Sequence, residues 1–347
     1  MNPRRKTTID DVAELAGVSI KTVSRVTNRE PNVRQSTREK VEEAIAKLNY
    51  RPNVAARGLA SRRSNFIVLL YDDPAEYEDP SAGYIIRLQE GALRACTAIN
   101  YELLIHPCNY RSKGVLGELK ALVQRSQPEG VIIAAPLSNM PGIVDAIGST
   151  GTPFVRLSPG KENGKELSIV TNDREICAEM TRYLASLGHE RIAYITGDPN
   201  HAAVANRFAG YRDGLQQSGL PYSDSRVAAG DNSIGSGEAG ARKLLAGAEP
   251  PTAIFAANDD MAAGVIRVAD QMGIAVPDQL SVAGFDDSAL ARQIFPALTT
   301  IRQPLATMAE RAALSLVDAS DDATPSAGTE TVPASMQIRE STGPAPE

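Results

Sequence analysis

Gly17-Val18-Ser19-Ile20-Lys21-Thr22-Val23-Ser24-Arg25 decides the reading of the first sixty residues. It joins two short helical patterns through a turn. Upstream, Thr8 can cap a helix with apolar positions at Ile9, Val12, Ala13 and Ala16, and Asp11 is placed to complete a capping box. Gly17 follows the last helical residue, where a left-handed turn is cheapest without a Cβ. Ser19 then offers a hydroxyl as the cap of a second helix. On that helix Val23 and Val26 turn inward, while Lys21, Thr22 and Arg25 stay free to point outward. Two helices joined by a glycine-containing turn form a helix-turn-helix, whose second helix enters a DNA major groove.

The flanks support that geometry. A third helix is expected over Ser36 to Leu48, with Val41, Ala44, Ile45 and Leu48 at helical spacing to close a small core. Asn49-Tyr50-Arg51-Pro52-Asn53 reads as a turn, and Val54-Ala55-Ala56-Arg57-Gly58-Leu59-Ala60 as a short alanine-rich helix near Arg62 and Arg63. From Thr8 to its end, the sequence resembles the lactose-repressor (LacI-GalR) family of bacterial transcriptional regulators.

Charge and length agree with a head joined to a different kind of body. Residues 1–65 hold 14 Lys and Arg against 7 Asp and Glu, while the remainder holds 22 against 35. A basic head on an acidic body is the footprint of a nucleic-acid module attached to something else. A chain of 347 residues also exceeds one ordinary core. No apolar run approaches the ~20 residues of a membrane span, and Met1-Asn2-Pro3-Arg4-Arg5-Lys6 lacks the apolar stretch of a signal peptide. With three cysteines, Cys96, Cys108 and Cys177, and no pairing pattern, a reducing cytoplasm is expected. His106 beside Cys108 supplies two potential ligands, too few for a metal site, so no metal and no cofactor are expected.

From Asn65 onward, strands and helices alternate. Buried parallel strands are expected at Phe66–Leu70, Tyr101–Ile105, Val131–Ala135 and Phe154–Leu157, with helices at Tyr84–Ile99, Val115–Ser126 and Met140–Ser149. A second series follows, with strands at Ile169–Val170, Arg191–Thr196, Ala253–Ala257 and Ser281–Phe285. Its helices lie near Arg174–Leu187, Ala202–Ser218, Gly235–Ala246 and Asp260–Met272. Two such series predict two doubly wound lobes that bind ligand at the carboxyl ends of their strands.

The resemblance adds three chain crossings between lobes, the periplasmic-binding-protein-like arrangement. The expected layout is a helix-turn-helix domain over 1–52, a hinge helix and linker over 53–64, and a ligand-binding and dimerisation body over 65–342. The N-lobe comprises about 65–165 and 303–330, the C-lobe about 166–302 and 331–342. Asp318 to Thr331 reads as a loop, and 343–347 as a disordered tail.

The resemblance also implies roles. Ile20, Lys21 and Arg25 match the positions that set operator sequence: Arg25 can grip guanine O6 and N7, Lys21 a guanine or phosphate, and Ile20 a thymine methyl. Thr22 and Ser24, with Thr8, Ser19 and Asn28, suit phosphate contacts or caps. Asn53, Ala56 and Leu59 belong to the hinge helix, too short to stand alone, with Leu59 matching the leucine that wedges into a central base step.

In the body, Arg207-Phe208-Ala209-Gly210-Tyr211, Asn258-Asp259-Asp260-Met261-Ala262 and Gly284-Phe285-Asp286-Asp287 match family motifs. They make Arg207, Asn258 and Asp286 the principal effector contacts, with Asp259 and Asp287 as helix caps. A guanidinium fork, an amide and a carboxylate suit a polyol. Where several sugar-binding relatives carry a tryptophan or carboxylate, this chain has Asn232 and Ser158. It has no tryptophan, so stacking on a sugar would fall to Tyr71, Phe208 or another aromatic. His201 lies on a loop expected to line the cleft, as a donor or as a satisfied surface histidine.

Enzyme motifs are missing. Asp286 and Asp287 are adjacent, so beyond a strand their side chains diverge, and neither a P-loop nor a nucleophile elbow occurs. No catalytic residue is expected. The resemblance thus implies a homodimeric repressor of a pseudo-palindromic double-stranded operator, controlled by a small-molecule effector of the carbohydrate class. Two alternatives stand beside it: a regulator or architectural protein whose body has lost its ligand, and a sugar-processing enzyme with a fused DNA-binding head.

Overall fold

A computed structural model describes residues 7–27, 32–50, 64–72, 83–160, 164–318 and 325–346. The chain divides into two compact units, Met1–Ser64 and Asn65–Glu347.

The head is three helices: α1 (Ile9–Ala16), α2 (Ile20–Thr27) and α3 (Gln35–Leu48). Thr8 and Asp11 form the expected capping box, the Thr8 N–H donating to Asp11 Oδ2 at 2.8 Å while the Asp11 N–H returns to Thr8 Oγ1. Gly17 takes φ 63°, and the Val18 N–H closes the turn on the Ala13 carbonyl at 3.0 Å. Val12, Ala13, Val23, Val26, Val41 and Ala44 form the core, so each helix contributes two buried residues at helical spacing.

The body opens with β1 (Phe66–Asp72), α4 (Gly83–Ala98), β2 (Glu102–Cys108), α5 (Val115–Ser126), β3 (Gly130–Ile133), α6 (Pro141–Gly148), β4 (Phe154–Leu157) and β5 (Leu167–Val170). Successive strand residues face opposite sides. Val68, Leu70, Val131 and Ile133 therefore pack on one face with Leu119 and Val123, whereas Ile67, Leu69 and Ile132 pack on the other with Leu88 and Met308. Gly91 on α4 permits close helix packing, since a Cβ there would overlap the Ala306 carbonyl.

The second lobe contains α7 (Asp173–Ser186), β6 (Ile192–Ile195), α8 (Ala203–Gln217), β7 (Val227–Ala228), α9 (Ile234–Leu245), β8 (Ala253–Ala256), α10 (Asp259–Gln271) and β9 (Ser281–Ala283). Its parallel sheet runs β7-β6-β8-β9. After α11 (Ala289–Gln293) and β10 (Thr300–Arg302), the chain returns to the first lobe as α12 (Leu305–Asp318) and β11 (Gly328–Thr331). It then leaves again as β12 (Ser335–Gln337), antiparallel to β10. The first sheet has the all-parallel order β11-β5-β4-β3-β1-β2. The chain thus changes lobe after Val170, Arg302 and Thr331.

Three expectations change. Ile169 and Val170 open no second series; they lie in β5, between β4 and β11, so the first lobe extends to Val170 instead of ending near 165. Within the stretch from Asp318 to Thr331, Gly328–Thr331 is an edge strand rather than loop. Its alternating exposure leaves polar Thr329 and Glu330 in a ladder with β5, which hid it from a hydrophobic pattern. The tail is also ordered through Pro346. The Gly343 N–H donates to Ser281 Oγ at 3.0 Å, the Ala345 N–H to the Leu187 carbonyl at 2.8 Å, and the Gly343 carbonyl meets buried His189 Nε2 at 3.1 Å. Backbone hydrogen bonds, invisible to composition, fix this segment.

Candidate nucleic-acid interface and effector cleft

Within the head, α2 buries Val23 and Val26 and leaves Ile20, 48% exposed, and Lys21 on its outer face. Ile20 at the start of the second helix is free to make apolar contact with a base. Arg25 is half-buried and donates from Nη2 to the Asn32 carbonyl at 3.2 Å. Ser19 Oγ accepts from the Thr22 N–H at 3.2 Å and lies 2.9 Å from the Thr22 hydroxyl, so both oxygens sit at the helix start. Thr8 is committed to its capping box, and Ser24 is half-buried. Asn28, Asn53, Ala56 and Leu59 lie outside the described residues.

A cavity of about 690 Å³ opens in the body between the carboxyl ends of the two sheets. Ser158, His201, Arg207, Asn232, Asn258 and Asp286 all line it. Tyr71 does not: on β1 it alternates with Asp72, which faces the cavity while Tyr71 packs toward the first-lobe core. Phe208 likewise packs among Tyr194, Tyr211 and Tyr222. The aromatic on the cavity wall is Tyr84, at the start of α4.

Arg207 is the centre of this site. Projecting from α8, it is 9% exposed. Its Nη1 donates to the Ala257 carbonyl at 2.8 Å and lies 3.9 Å from Asp286 Oδ1, while Nε lies 3.7 Å from Asp173 Oδ1. Its guanidinium carbon sits 3.7 Å from the Phe285 ring centroid. Burial works against its charge, but Asp173 and Asp286 outweigh that and hold it ionised. Burial pushes Asp286 up to about 6, against the pull of Arg207 and of Gln303, whose Nε2 donates to Asp286 Oδ1 at 2.5 Å. Burial lowers His201 further below its ordinary value than Asp198 can restore, leaving a neutral imidazole at neutral pH.

Three of the residues that line the cavity carry a fully buried side-chain atom without a hydrogen-bond partner: Tyr84 Oη, Ser158 Oγ and Arg207 Nε, the last of these facing Asp173. Native proteins seldom leave such groups unpaired. Ser158, Asn232 and Asp286 also adopt φ of 48°, 74° and 118°, where side chains other than glycine are strained. Strain of about 1–3 kcal/mol per residue collects at binding sites.

The structure redistributes the capping roles. Asn258, rather than Asp259, caps α10, its Oδ1 accepting from the Met261 N–H at 2.9 Å, while its Nδ2 donates to the Asn232 carbonyl at 2.8 Å. Asp259 is buried and accepts from Thr300 Oγ1 at 2.5 Å and the Ser288 N–H at 2.7 Å, joining α10 to β10. Nor does Asp287 cap a helix. It meets Arg302 at 2.6 Å, Arg339 at 2.5 Å and Arg292 at 3.3 Å, a cluster assembled from distant segments. Asp72, Arg111, Asp231 and Gln303 line the cavity without having been expected there. Asp72 and Gln303 each end or follow a strand, the position where open α/β sheets place ligand contacts, so the signal was available. Arg111 and Asp231 sit on loops with no distinguishing pattern.

A three-helix head of this kind with a two-lobed α/β body defines a ligand-responsive DNA-binding regulator. The chain belongs to the lacI family of bacterial regulatory proteins: that family's model matches residues 8–53, and a periplasmic binding protein-like domain matches residues 181–342. It is 36% identical to the HTH-type transcriptional regulator DegA of Bacillus subtilis (strain 168), over 88% of this chain and 89% of that one. It is 34% identical to the regulator GalR of Escherichia coli (strain K12), over 88% and 87%. Among solved structures, it resembles the transcriptional regulator CelR–cellobiose complex, with 28% identity, TM-score 0.73, and coverage of 97% of this chain and 100% of that one. It also resembles the lac repressor dimer bound to operator and the anti-inducer ONPF, with 27% identity, TM-score 0.78, and coverage of 98% and 100%. The protein is a helix-turn-helix transcriptional regulator, not an enzyme. No described helix is long and apolar enough to cross a membrane.

Proposed function

We propose that this regulator is a cytoplasmic, homodimeric repressor that binds a pseudo-palindromic operator and is controlled by a sugar held between the two lobes of its body. The observation that carries the sugar reading is the polar lining of the cavity between the lobes, where Asp72 and Ser158 of the first lobe meet Arg207, Asp231, Asn258 and Asp286 of the second. A guanidinium, an amide, a hydroxyl and carboxylates offer both donors and acceptors to adjacent hydroxyls of one ligand. The cellobiose seated in CelR supports the same ligand class.

In this reading, Ile20, Lys21 and Arg25 read the major groove, Thr22, Ser24 and Asn28 hold phosphates, and Leu59 of the segment 53–64 enters the minor groove. The effector engages Arg207, Asn258 and Asp286 from the second lobe and Ser158 from the first. It biases their relative angle only as far as it binds one geometry better than the other. The operator-bound lac repressor dimer supports two heads acting on one site. The test is DNase footprinting of full-length protein on an operator selected from random duplexes, repeated with cellobiose and with galactose. Two major-groove contacts flanking a central minor-groove contact, changed by a sugar, support the proposal; protection of one asymmetric half-site rejects it.

A further inference from the structure

The cavity wall carries a charge pattern that narrows the ligand class. Four carboxylates face the space: Asp72 at the end of β1, Asp198 and Asp231 on loops of the second lobe, and Asp286 beyond β9. Three of them are held as hydrogen-bond acceptors, Asp286 by Gln303. Asp198 Oδ1 accepts from the Asn200 N–H at 2.9 Å and from its amide at 2.8 Å. Asp231 Oδ1 accepts from the Ser233 N–H at 2.9 Å and its hydroxyl at 2.6 Å. Burial would raise the Asp231 carboxyl, but the bonds from Ser233 and Ser236 bring it below the ordinary range, so it stays ionised.

Two cations line the same space, and the buried one is already matched. Arg207 lies between Asp173 and Asp286, with one donor on the Ala257 carbonyl and its face on Phe285. With a carboxylate within 4 Å on either side, it carries no uncompensated charge. Arg111 is exposed, with its guanidinium 4.6 Å from the Tyr110 ring centroid. His201, the remaining basic side chain on the wall, is kept neutral by burial.

We infer that the cleft selects uncharged sugars and rejects sugar acids and sugar phosphates, because among the described residues its wall presents four carboxylates against one buried arginine, Arg207, that Asp173 and Asp286 already match. This rests on the proposal that the cleft binds a sugar. An anionic substituent would be desolvated beside fixed negative charge, where the buried guanidinium of Arg207 is already matched. Neutral hydroxyls, by contrast, can donate to Asp72, Asp198, Asp231 and Asp286 and accept from Arg207 and Asn258. An ammonium group in place of a hydroxyl is compatible with the same wall.

The experiment uses the full-length protein at pH 7.5 and low salt, with matched sets read by calorimetry: cellobiose with cellobionate, galactose with galacturonate and galactosamine, and glucose with glucuronate and glucose 6-phosphate. In every set that binds, the neutral member is expected to bind at least tenfold more tightly than its carboxylate or phosphate counterpart. Asp231→Asn, at an exposed position, is expected to narrow that gap at least threefold. An anionic member that binds as tightly as its neutral parent overturns the charge inference while leaving the sugar reading intact. Binding by no member of any set overturns the sugar reading, and the inference with it.

Discussion

The backbone of Gly160, in the loop after β4, lies against Ala202 at the entrance to α8 on the opposite lobe. A methyl group at position 160 would occupy the space of the Ala202 side chain. The contact adjoins Ser158 and Ala203, both on the cavity wall. The Gly160 N–H is held by Asn139 Oδ1 of the first lobe, so the loop cannot swing aside without losing that bond. Gly160→Val therefore opposes the approach of the lobes, at a cost of about 1–3 kcal/mol by overpacking. Hydrogen exchange of the full-length variant should show faster amides over residues 201–206 and a lower melting temperature. Unchanged exchange there would mean that the two lobes do not depend on this contact.

In the head, Arg25→Ala should weaken binding to the selected operator by about 1–3 kcal/mol and flatten preference at one base-pair position, the loss of a bidentate guanine contact. Random duplex should be bound almost as before. Fluorescence anisotropy on both duplexes at a fixed salt concentration measures the difference. Equal weakening on both would make Arg25 a phosphate contact.

Asp286 supplies a pH dependence with a definite sign. Its carboxyl rises from 3.8 to about 6 on folding, chiefly through burial, so between those values the folded chain binds the extra proton. Its contribution to stability is then greatest at low pH and is lost as pH rises from about 4 through 6, amounting to about 3 kcal/mol at roughly 1.4 kcal/mol per pKa unit. His106, His189 and His201 act oppositely. Burial lowers each below 6.5, so they cost stability as pH falls through that value. Comparing wild type with Asp286→Asn cancels the histidines. Thermal melts from pH 7.5 to 4.5 should show the difference moving in favour of wild type as the solution becomes more acid; a constant difference would sink the assignment.

What the sequence made legible follows from where the signal was local. The capping box at Thr8, the turn at Gly17 and the buried Val23 and Val26 are each set by residues within a few positions of one another. Helices such as Val115–Ser126 match their apolar periodicity residue for residue. Arg207, Asn258 and Asp286 were found through family motifs, and all three reach one cavity. The failures are long-range. β11 is polar and finds its place only by pairing with β5, more than 150 residues earlier. Gly343 and Ala345 look disordered by composition, yet their backbone groups complete hydrogen bonds at Ser281 and Leu187. Asp287 reads as a cap until Arg302 and Arg339 arrive beside it.

The last prediction separates the two activities of the molecule at Arg207. The side chain belongs to the body, whereas Ile20, Lys21 and Arg25 belong to a head that folds as its own compact unit with its own core. Arg207→Ala removes the guanidinium but leaves Asp173, which burial already pushes upward and which Arg207 and Thr171 pull back. With Arg207 gone, Asp173 should take up a proton rather than stay buried as an unpaired anion. The folded body then survives at a cost in melting temperature. Ligand affinity should fall by roughly 2–5 kcal/mol, because a buried partner of the bound sugar has been deleted. Operator affinity without sugar should change by less than about 0.5 kcal/mol, the usual limit for independent sites. Arg207→Lys keeps the charge but not the planar fork, so it should recover much of the melting temperature and little of the sugar affinity. Titrating operator complexes of wild type and both variants with the best sugar from the calorimetric panel provides the measurement. Variants that still respond at the wild-type sugar concentration would remove Arg207 from the effector site and leave the reading head untouched.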